Sequence, residues 1–360
     1  MAPTQQKALL IPERLADFVV GTRAVPSPGP GFVLVKIQAV SLNPVDNYLQ
    51  KLGKFTPEFS DLTPGYPAVV GSDGAGIVEA VGEGVTHLEV GDRVLYQFRW
   101  SSDRSTFQQY GLADAARIAK IPGNVSFDGA ATIPLGLATA AIGNYAKKSL
   151  RGGAALHRPW EDGGRGQYSS QAILVTGGSS SVGQFALQLA KLSGFGPIIT
   201  TASAHNEAYC KAAGATHVVD YHSVPYAELP VVLARIAGGP IAFVYDVISS
   251  AESQAAGWAS LAPGGSIVVT LPSAIGQPGV DAEDGRRIVW VSGNVHHRDN
   301  HELGQSLYSK LTELLAEGAL KPNRVEVLPD GLAGIPPGLG RVLAKQVSGV
   351  KLVAHPQETL

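Results

Sequence analysis

The strongest chemical signal in the chain is the run Ile173-Leu174-Val175-Thr176-Gly177-Gly178-Ser179-Ser180-Ser181-Val182-Gly183. Its apolar start suits a buried strand, its middle a tight Gly/Ser turn. Val182, Phe185, Ala186, Leu189 and Leu192 then repeat at helical spacing. A strand turning directly into a helix aims backbone N–H groups and the positive end of the helix dipole at one point, which suits a diphosphate. Gly178 permits the turn and Gly183 lets helix and strand approach closely. The spacing from Gly178 to Gly183 fits a dinucleotide fingerprint with Ser180 at its middle glycine position. An ordinary strand–turn–helix would look similar. The four β/α units that follow favour a dinucleotide held by Ser179, Ser180, Ser181 and Val182.

The next strand bears on which dinucleotide. A ribose with a free 2′-hydroxyl is usually met by Asp or Glu about 20 residues past the glycine turn. Here the strand ends Thr200-Thr201-Ala202-Ser203-Ala204-His205-Asn206, with no carboxylate before Glu207. Ser203, a ring N–H of His205 and the Asn206 amide are donors suited to a 2′-phosphate, so NADPH is the expected cofactor. Ser and Asn also cap helices, and both roles are compatible. Tyr221, at the end of the following strand, either packs on the adenine side or simply ends its strand.

These residues need a scaffold, and the hydrophobic pattern supplies one. Residues 171–176, 197–203, 217–221, 242–249 and 266–272 read as strands. Residues 182–192, 206–213, 229–237 and 253–261 read as helices between them, and residues 287–292 as a sixth strand. Strands alternating with helices imply a doubly wound parallel-sheet Rossmann domain. Earlier in the chain, alternation over residues 32–40 and 76–81 and dense Gly/Pro turns predict a partly open β-barrel. The expected fold is therefore α/β, with residues 130–319 as the Rossmann domain. Residues 1–129 and 320–360 form the barrel domain, the tail rejoining it as strand and loop after an amphipathic helix over 301–317. Residues 151–170 read as a mobile surface loop, and Asp246 as a buttress of the sheet.

Composition narrows the function classes. The 360 residues include 28 Lys+Arg and 30 Asp+Glu, a formal net charge of -2, and no basic run suited to nucleic acid. The single cysteine, Cys210, forms no intramolecular disulfide and supplies no cysteine-rich zinc site. Residues 1–10 lack a signal-type core, and no apolar run reaches the roughly 20 residues a bilayer requires. A cytoplasmic protein without a membrane segment is expected.

Residues 71–85, Gly-Ser-Asp-Gly-Ala-Gly-Ile-Val-Glu-Ala-Val-Gly-Glu-Gly-Val, resemble the signature of zinc alcohol dehydrogenases in their glycine frame and closing valine. Ser72 replaces the ligand His, Asp73 the Glu, and Asn43 the upstream Cys. The four-cysteine zinc lobe has no counterpart between Gly91 and Phe107. Asn43-Pro44-Val45-Asp46 with Tyr48, Gly91-Asp92-Arg93-Val94, the run from Ala130 to Ala140, and Ser348-Gly349-Val350-Lys351-Leu352-Val353 instead resemble zinc-independent medium-chain dehydrogenase/reductases of the quinone oxidoreductase and enoyl reductase type. That resemblance implies a GroES-like catalytic domain and a metal-free reductase. Ser203-Ala204-His205-Asn206, Asp220-Tyr221 and the C-terminal motif are similar to the fungal stand-alone enoyl reductases that serve polyketide synthases. Some of those carry Lys where Tyr48 stands.

A metal-free reductase suits an acceptor that is already electrophilic. Hydride at the β-carbon of an enoyl group leaves charge on the carbonyl oxygen, which needs a donor. The resemblance places Tyr48 and Asn43 by the nicotinamide. Tyr48 either stabilises the enolate or protonates the α-carbon, or is a wall residue while solvent gives the proton. Asn43 either anchors substrate or ribose, or is a turn residue before Pro44. Val45, Asp46, Thr270, Leu271, Val350 and Lys351 are expected at the cofactor. Leu135, Gly136, Leu137 and Thr139 are expected on the substrate side, where small apolar residues suit an aliphatic or aromatic enoyl group. The expected partner is a small-molecule or carrier-bound enoyl substrate. Pro and acid near the expected sheet edge, residues 272–285, favour a monomer over a homodimer. A quinone reductase or an idle NADPH-binding relative are the alternative readings.

Overall fold

The structure, a computed structural model, describes residues 2–53, 65–98, 101–149 and 151–360. Arg99 and Trp100, within the segment compared with the zinc lobe, lie outside the described residues. The chain forms two compact units, Met1–Leu135 with Gln305–Leu360, and Gly136–Gly304.

The first unit opens with β1 (Gln5–Ile11), β2 (Val19–Ala24), β3 (Phe32–Ser41), β4 (Ala68–Val69), β5 (Asp73–Val81), β6 (Arg93–Gln97), β7 (Tyr110–Asp114) and β8 (Ile118–Lys120). Helices α1 (Tyr48–Leu52) and α2 (Phe127–Ala131) belong to it, and α3 (Pro134–Tyr145) carries the chain onward. The long strand β3 forms because Val33, Val35, Ile37 and Ala39 alternate into a core where each is fully buried. Burying each larger side chain contributes about 1.5–3 kcal/mol. The expected strand over 76–81 begins earlier, at Asp73. Gly74 and Gly76 weaken its strand signal, yet Gly76 is needed: a Cβ there would lie 2.2 Å from the Lys36 carbonyl oxygen on β3.

The second unit is a six-stranded sheet made of β9 (Ile173–Thr176), β10 (Ile198–Ala202), β11 (His217–Asp220), β12 (Ile241–Asp246), β13 (Leu261–Val269) and β14 (Arg287–Trp290). Its order is β11-β10-β9-β12-β13-β14, with every pairing parallel. The connecting helices are α4 (Ser181–Ser193), α5 (Glu207–Ala213), α6 (Leu229–Ala237) and α7 (Ala251–Ser260). Strand order reverses between β9 and β12, and ligands of such sheets bind beyond the carboxyl ends at that switch point. Leu174, Ile199, Val244 and Ile267 are fully buried within the sheet's core.

The chain returns through α8 (His301–Ala316), then β15 (Val325–Val327), α9 (Ile335–Leu343) and β16 (Lys351–Ala354). These last strands complete the larger sheet of the first unit, β15-β16-β3-β5-β6-β8, with β7 also on β3. Sheet closure into a full barrel is not seen among the described residues. Helix α9 departs from the strand-and-loop expectation for the tail. Pro336 and Pro337 look like helix breakers but fall in its first turn, where no N–H is needed. Its Ile335 and Leu339 are buried in the core with Leu352.

Residues 151–170 form loop and turns, as expected, with specific contacts inside the second unit. Trp160 packs edge-on against Tyr145, ring centroids 5.1 Å apart, and Tyr168 stacks on Phe195 at 4.8 Å. The Arg158 guanidinium donates to both Glu302 carboxylate oxygens at 2.6 and 2.9 Å.

Candidate functional site

The second unit places the glycine turn at the carboxyl end of β9. Gly177 takes φ +64°, a conformation open to glycine. Ser180 then caps α4: its Oγ accepts the Gly183 N–H at 3.1 Å and donates to the Gly177 carbonyl at 2.7 Å. Gln184 Nε2 holds the Gly178 carbonyl at 2.8 Å. A Cβ on Gly183 would stand 2.2 Å from the Gly177 carbonyl oxygen, and one on Gly178 would stand 2.2 Å from Thr200 Oγ1. At Gly183 backbone thus approaches backbone at the mouth of a thirteen-residue helix, while at Gly178 the close neighbour is the Thr200 side chain. These features fit a diphosphate.

Asp246 ties the switch point together. Its carboxylate accepts Thr176 Oγ1 at 2.5 Å, the Ser249 N–H at 2.9 Å and Ser253 Oγ at 2.8 Å. It joins the ends of β9 and β12, as a buttress should. Ser249 in turn receives the Thr270 N–H at 2.8 Å, while Thr270 Oγ1 donates to the Val247 carbonyl at 3.0 Å. Leu271 and Ile248 remain 44% and 41% exposed just past the strand ends.

At the other side of the switch point the ends of β10 and β11 converge. Ser203 Oγ lies 3.0 Å from Tyr221 Oη and 3.5 Å from His222 Nε2, and the Tyr221 and His222 rings are 4.2 Å apart. Asn206 Nδ2 and His205 Nε2 are 3.1 Å apart. The sequence reading missed His222. The signal was available in a Tyr-His pair directly after a strand, at the register where Ala202 faces Asp220.

The segment expected on the substrate side has mixed placement. Leu137 is only 1% exposed, Gly136 abuts Ser181 Oγ, and the Thr139 carbonyl accepts the Tyr245 hydroxyl at 2.7 Å. The loop after β14 was also missed. It buries Asn294 and Asn300, whose Nδ2 and Oδ1 respectively have no hydrogen-bond partner among the described residues.

The first unit brings Asn43, Asp46, Ser72, Asp73 and Lys351 into one buried cluster. Asn43 Nδ2 donates to Asp73 Oδ2 at 2.8 Å, and Lys351 Nζ donates to Asn43 Oδ1. Asp73 also accepts Ser41 Oγ at 2.8 Å and the Leu135 N–H at 2.7 Å. Asp46 accepts Ser72 Oγ at 2.5 Å and the Asn43 N–H at 2.7 Å, closing the 3-10 turn Pro44–Asn47. Both ends of the Asn43 amide thus have partners within the protein, in keeping with its alternative as a turn residue, and the Lys351 ammonium, expected at the cofactor, also has partners here. Burial pushes the Asp46 carboxyl up to about 7 and pulls the Lys351 ammonium down. Val45 and Val350 are half-buried. Tyr48, also half-buried, opens α1, and its hydroxyl has no hydrogen-bond partner among the described residues.

A zinc ion does not fit this cluster. An amide, a hydroxyl and one carboxylate stand where the zinc signature has its ligands, with a lysine ammonium already beside the carboxylate. Among the described residues no group of three or more His, Cys, Asp or Glu is arranged to hold a metal. No helix among them is long and apolar enough to cross a membrane.

Residues 29–141 match the alcohol dehydrogenase GroES-like domain family, and residues 181–273 the zinc-binding dehydrogenase family. A trans-enoyl reductase of Penicillium oxalicum is 30% identical over 98% of this chain and 97% of its own. The enoyl reductase component of the lovastatin nonaketide synthase of Aspergillus terreus is 30% identical over the same shares, 98% and 97%. Among solved structures, a mycobacterial quinone oxidoreductase superposes with a TM-score of 0.73 at 24% identity, covering 98% of this chain and all (100%) of its own. An alcohol dehydrogenase superfamily protein of Novosphingobium aromaticivorans gives 0.75 at 24% identity, covering 96% and 99%. With a GroES-like unit, a Rossmann unit and full-length relatives at this identity, the chain belongs to the medium-chain dehydrogenase/reductase family, among the fungal trans-enoyl reductases.

Proposed function

We propose that the protein reduces an activated C=C bond, that of an enoyl or enone substrate, with NADPH. The observation that carries this reading is the full-length likeness to trans-enoyl reductases. The choice of NADPH is supported by the donor set at the ends of β10 and β11, Ser203, Tyr221, His205 and Asn206, with no carboxylate among residues 200–206. A mycobacterial structure of the same fold holds NADPH.

When bound, NADPH supplies a hydride to the electrophilic β-carbon of the acceptor. The chain's own groups do the rest. The first-turn N–H groups of α4, with Ser179, Ser180, Ser181 and Val182, hold the diphosphate. Ser203 Oγ and Tyr221 Oη donate to the 2′-phosphate, with His205 and Asn206 beside them. Thr270 and Leu271 border the nicotinamide, as do Val45 and Asp46 through their backbone. Tyr48 Oη either donates a hydrogen bond to the oxygen on which enolate charge develops, solvent protonating the α-carbon, or gives its own proton to the α-carbon and regains one from solvent. Asn43 shapes the turn that carries Tyr48. The small side chains near Leu135, Gly136, Leu137 and Thr139 admit an aliphatic or aromatic acyl group, free or carried on a thioester. The enzyme works as a cytoplasmic monomer.

The test is to mix the protein with NADPH or NADH and a 2-alkenoyl thioester, a simple enone or a quinone, identifying products by mass spectrometry. Gain of two hydrogens across a C=C bond with NADPH is expected. Turnover of the quinone alone contradicts the reading.

A further inference from the structure

The buried cluster of the first unit has an unusual charge inventory. Asp46, Asp73 and Lys351 are 3%, 0% and 6% exposed. Packing alone does not need such a set, since well-fitted apolar residues usually stabilise a core as well as a buried ion pair does. What charged hydrogen bonds add is a defined geometry among segments that the chain keeps far apart.

Three such segments meet here. Lys351 stands at the start of β16, which pairs antiparallel with β3 through Val353 opposite Ser41. The Leu42 N–H donates to the Leu352 carbonyl at 3.0 Å, so the backbone of the two strands fixes the lysine beside Asn43. From there its ammonium reaches the Asn43 amide oxygen and lies 3.8 Å from Asp73 Oδ2. Asn43 begins the turn Pro44–Asn47, and Tyr48 follows it directly. The other oxygen of Asp73 takes the Leu135 N–H. One carboxylate therefore references both the turn that leads to Tyr48 and the segment that begins the expected substrate wall.

We propose that Lys351 is a positioning residue: held by Asp73, its ammonium grips the Asn43 amide and sets the Pro44–Tyr48 turn for reaction. In this role the lysine, its ammonium 3.8 Å from the Asp73 carboxylate that holds it, acts through Asn43. The catalytic part of this inference rests on the role given above to Tyr48; the structural part does not.

The experiment compares wild type with Lys351→Met and with Lys351→Met/Asp73→Asn, in the full chain. The single variant leaves Asp73 buried without its counter-charge and is expected to unfold at lower temperature. The double variant removes both charges and keeps the shapes, so its unfolding midpoint should return towards wild type. Even so, its kcat with a 2-alkenoyl thioester should stay about 10-fold low or worse, while its NADPH dissociation constant stays within about 2-fold of wild type. Hydrogen exchange at residues 43–50 should be about 10-fold faster than wild type, with residues 173–183 unchanged. Recovery of kcat together with the midpoint would reduce Lys351 to packing and overturn the inference. A weakened NADPH affinity with unchanged exchange at 43–50 would overturn it too, by making the lysine a cofactor contact. If wild type reduces no enoyl acceptor, the exchange at 43–50 still decides the positioning claim, and only the reading of Tyr48 falls.

Discussion

Ser203 Oγ and Tyr221 Oη lie 3.0 Å apart across the ends of two neighbouring parallel strands. The proposed preference for NADPH puts its 2′-phosphate at these two hydroxyls. Replacing Ser203 with Asp puts a carboxylate at that point. NADPH should then bind about 10-fold more weakly or worse, and NADH should be spared. Fluorescence titration with both cofactors checks this, and an unchanged preference would mean the phosphate is read elsewhere.

The glycine cradle makes a steric prediction. In Gly183→Ala the new methyl would start 2.2 Å from the Gly177 carbonyl oxygen, so α4 or the turn must move. Overpacking of this kind costs about 1–3 kcal/mol. Both the thermal midpoint and the cofactor affinity should fall. A variant with wild-type values for both would show that the close approach is not needed.

Tyr48→Phe removes a hydroxyl that has no partner among the described residues and leaves the ring. If that hydroxyl gives the proton, kcat should drop about 100-fold with little change in substrate KM. Steady-state kinetics with an unchanged kcat would assign the proton to solvent and make Tyr48 a wall residue.

His355 links the chain's end to α2, with Nε2 2.8 Å from Asp128 and Nδ1 3.0 Å from Glu358. Partial burial lowers its pKa, but the two carboxylates outweigh that and hold it above the ordinary value of 6.5. A histidine whose folded pKa is raised stabilises fully below its unfolded pKa, and that contribution fades as pH rises through the folded value. Because the pair is partly exposed, the effect is small, about 1–2 °C in midpoint. His355→Gln should lower the midpoint at pH 5.5–6 and not above pH 8, values that are approximate bounds around the ordinary histidine range. Equal loss at both ends would show that charge plays no part.

Much of the fold was legible because its patterns are local. The helix over 229–237 has the bounds read from its apolar spacing, and the glycine turn falls where strand and helix signals meet. What stayed hidden depended on distant partners. Gly74 and Gly76 masked the start of β5, whose pairing with β3 is what makes it a strand. Pro336, Pro337 and Gly338 masked α9, which the buried faces of Ile335 and Leu339 hold in place. At the candidate site, Asn43 and Lys351 were found as motif members. Their mutual hydrogen bond joins residues at opposite ends of the chain, and no spacing rule reports such a contact.

The most direct test of the central claim follows the hydride itself. The protein would be given NADPH carrying deuterium at the transferable nicotinamide position, with a 2-alkenoyl thioester, and the product examined by mass spectrometry and NMR. One deuterium at the β-carbon and one solvent-derived hydrogen at the α-carbon are expected. A saturated product without deuterium, or reduction at the carbonyl carbon with the C=C bond intact, would contradict it.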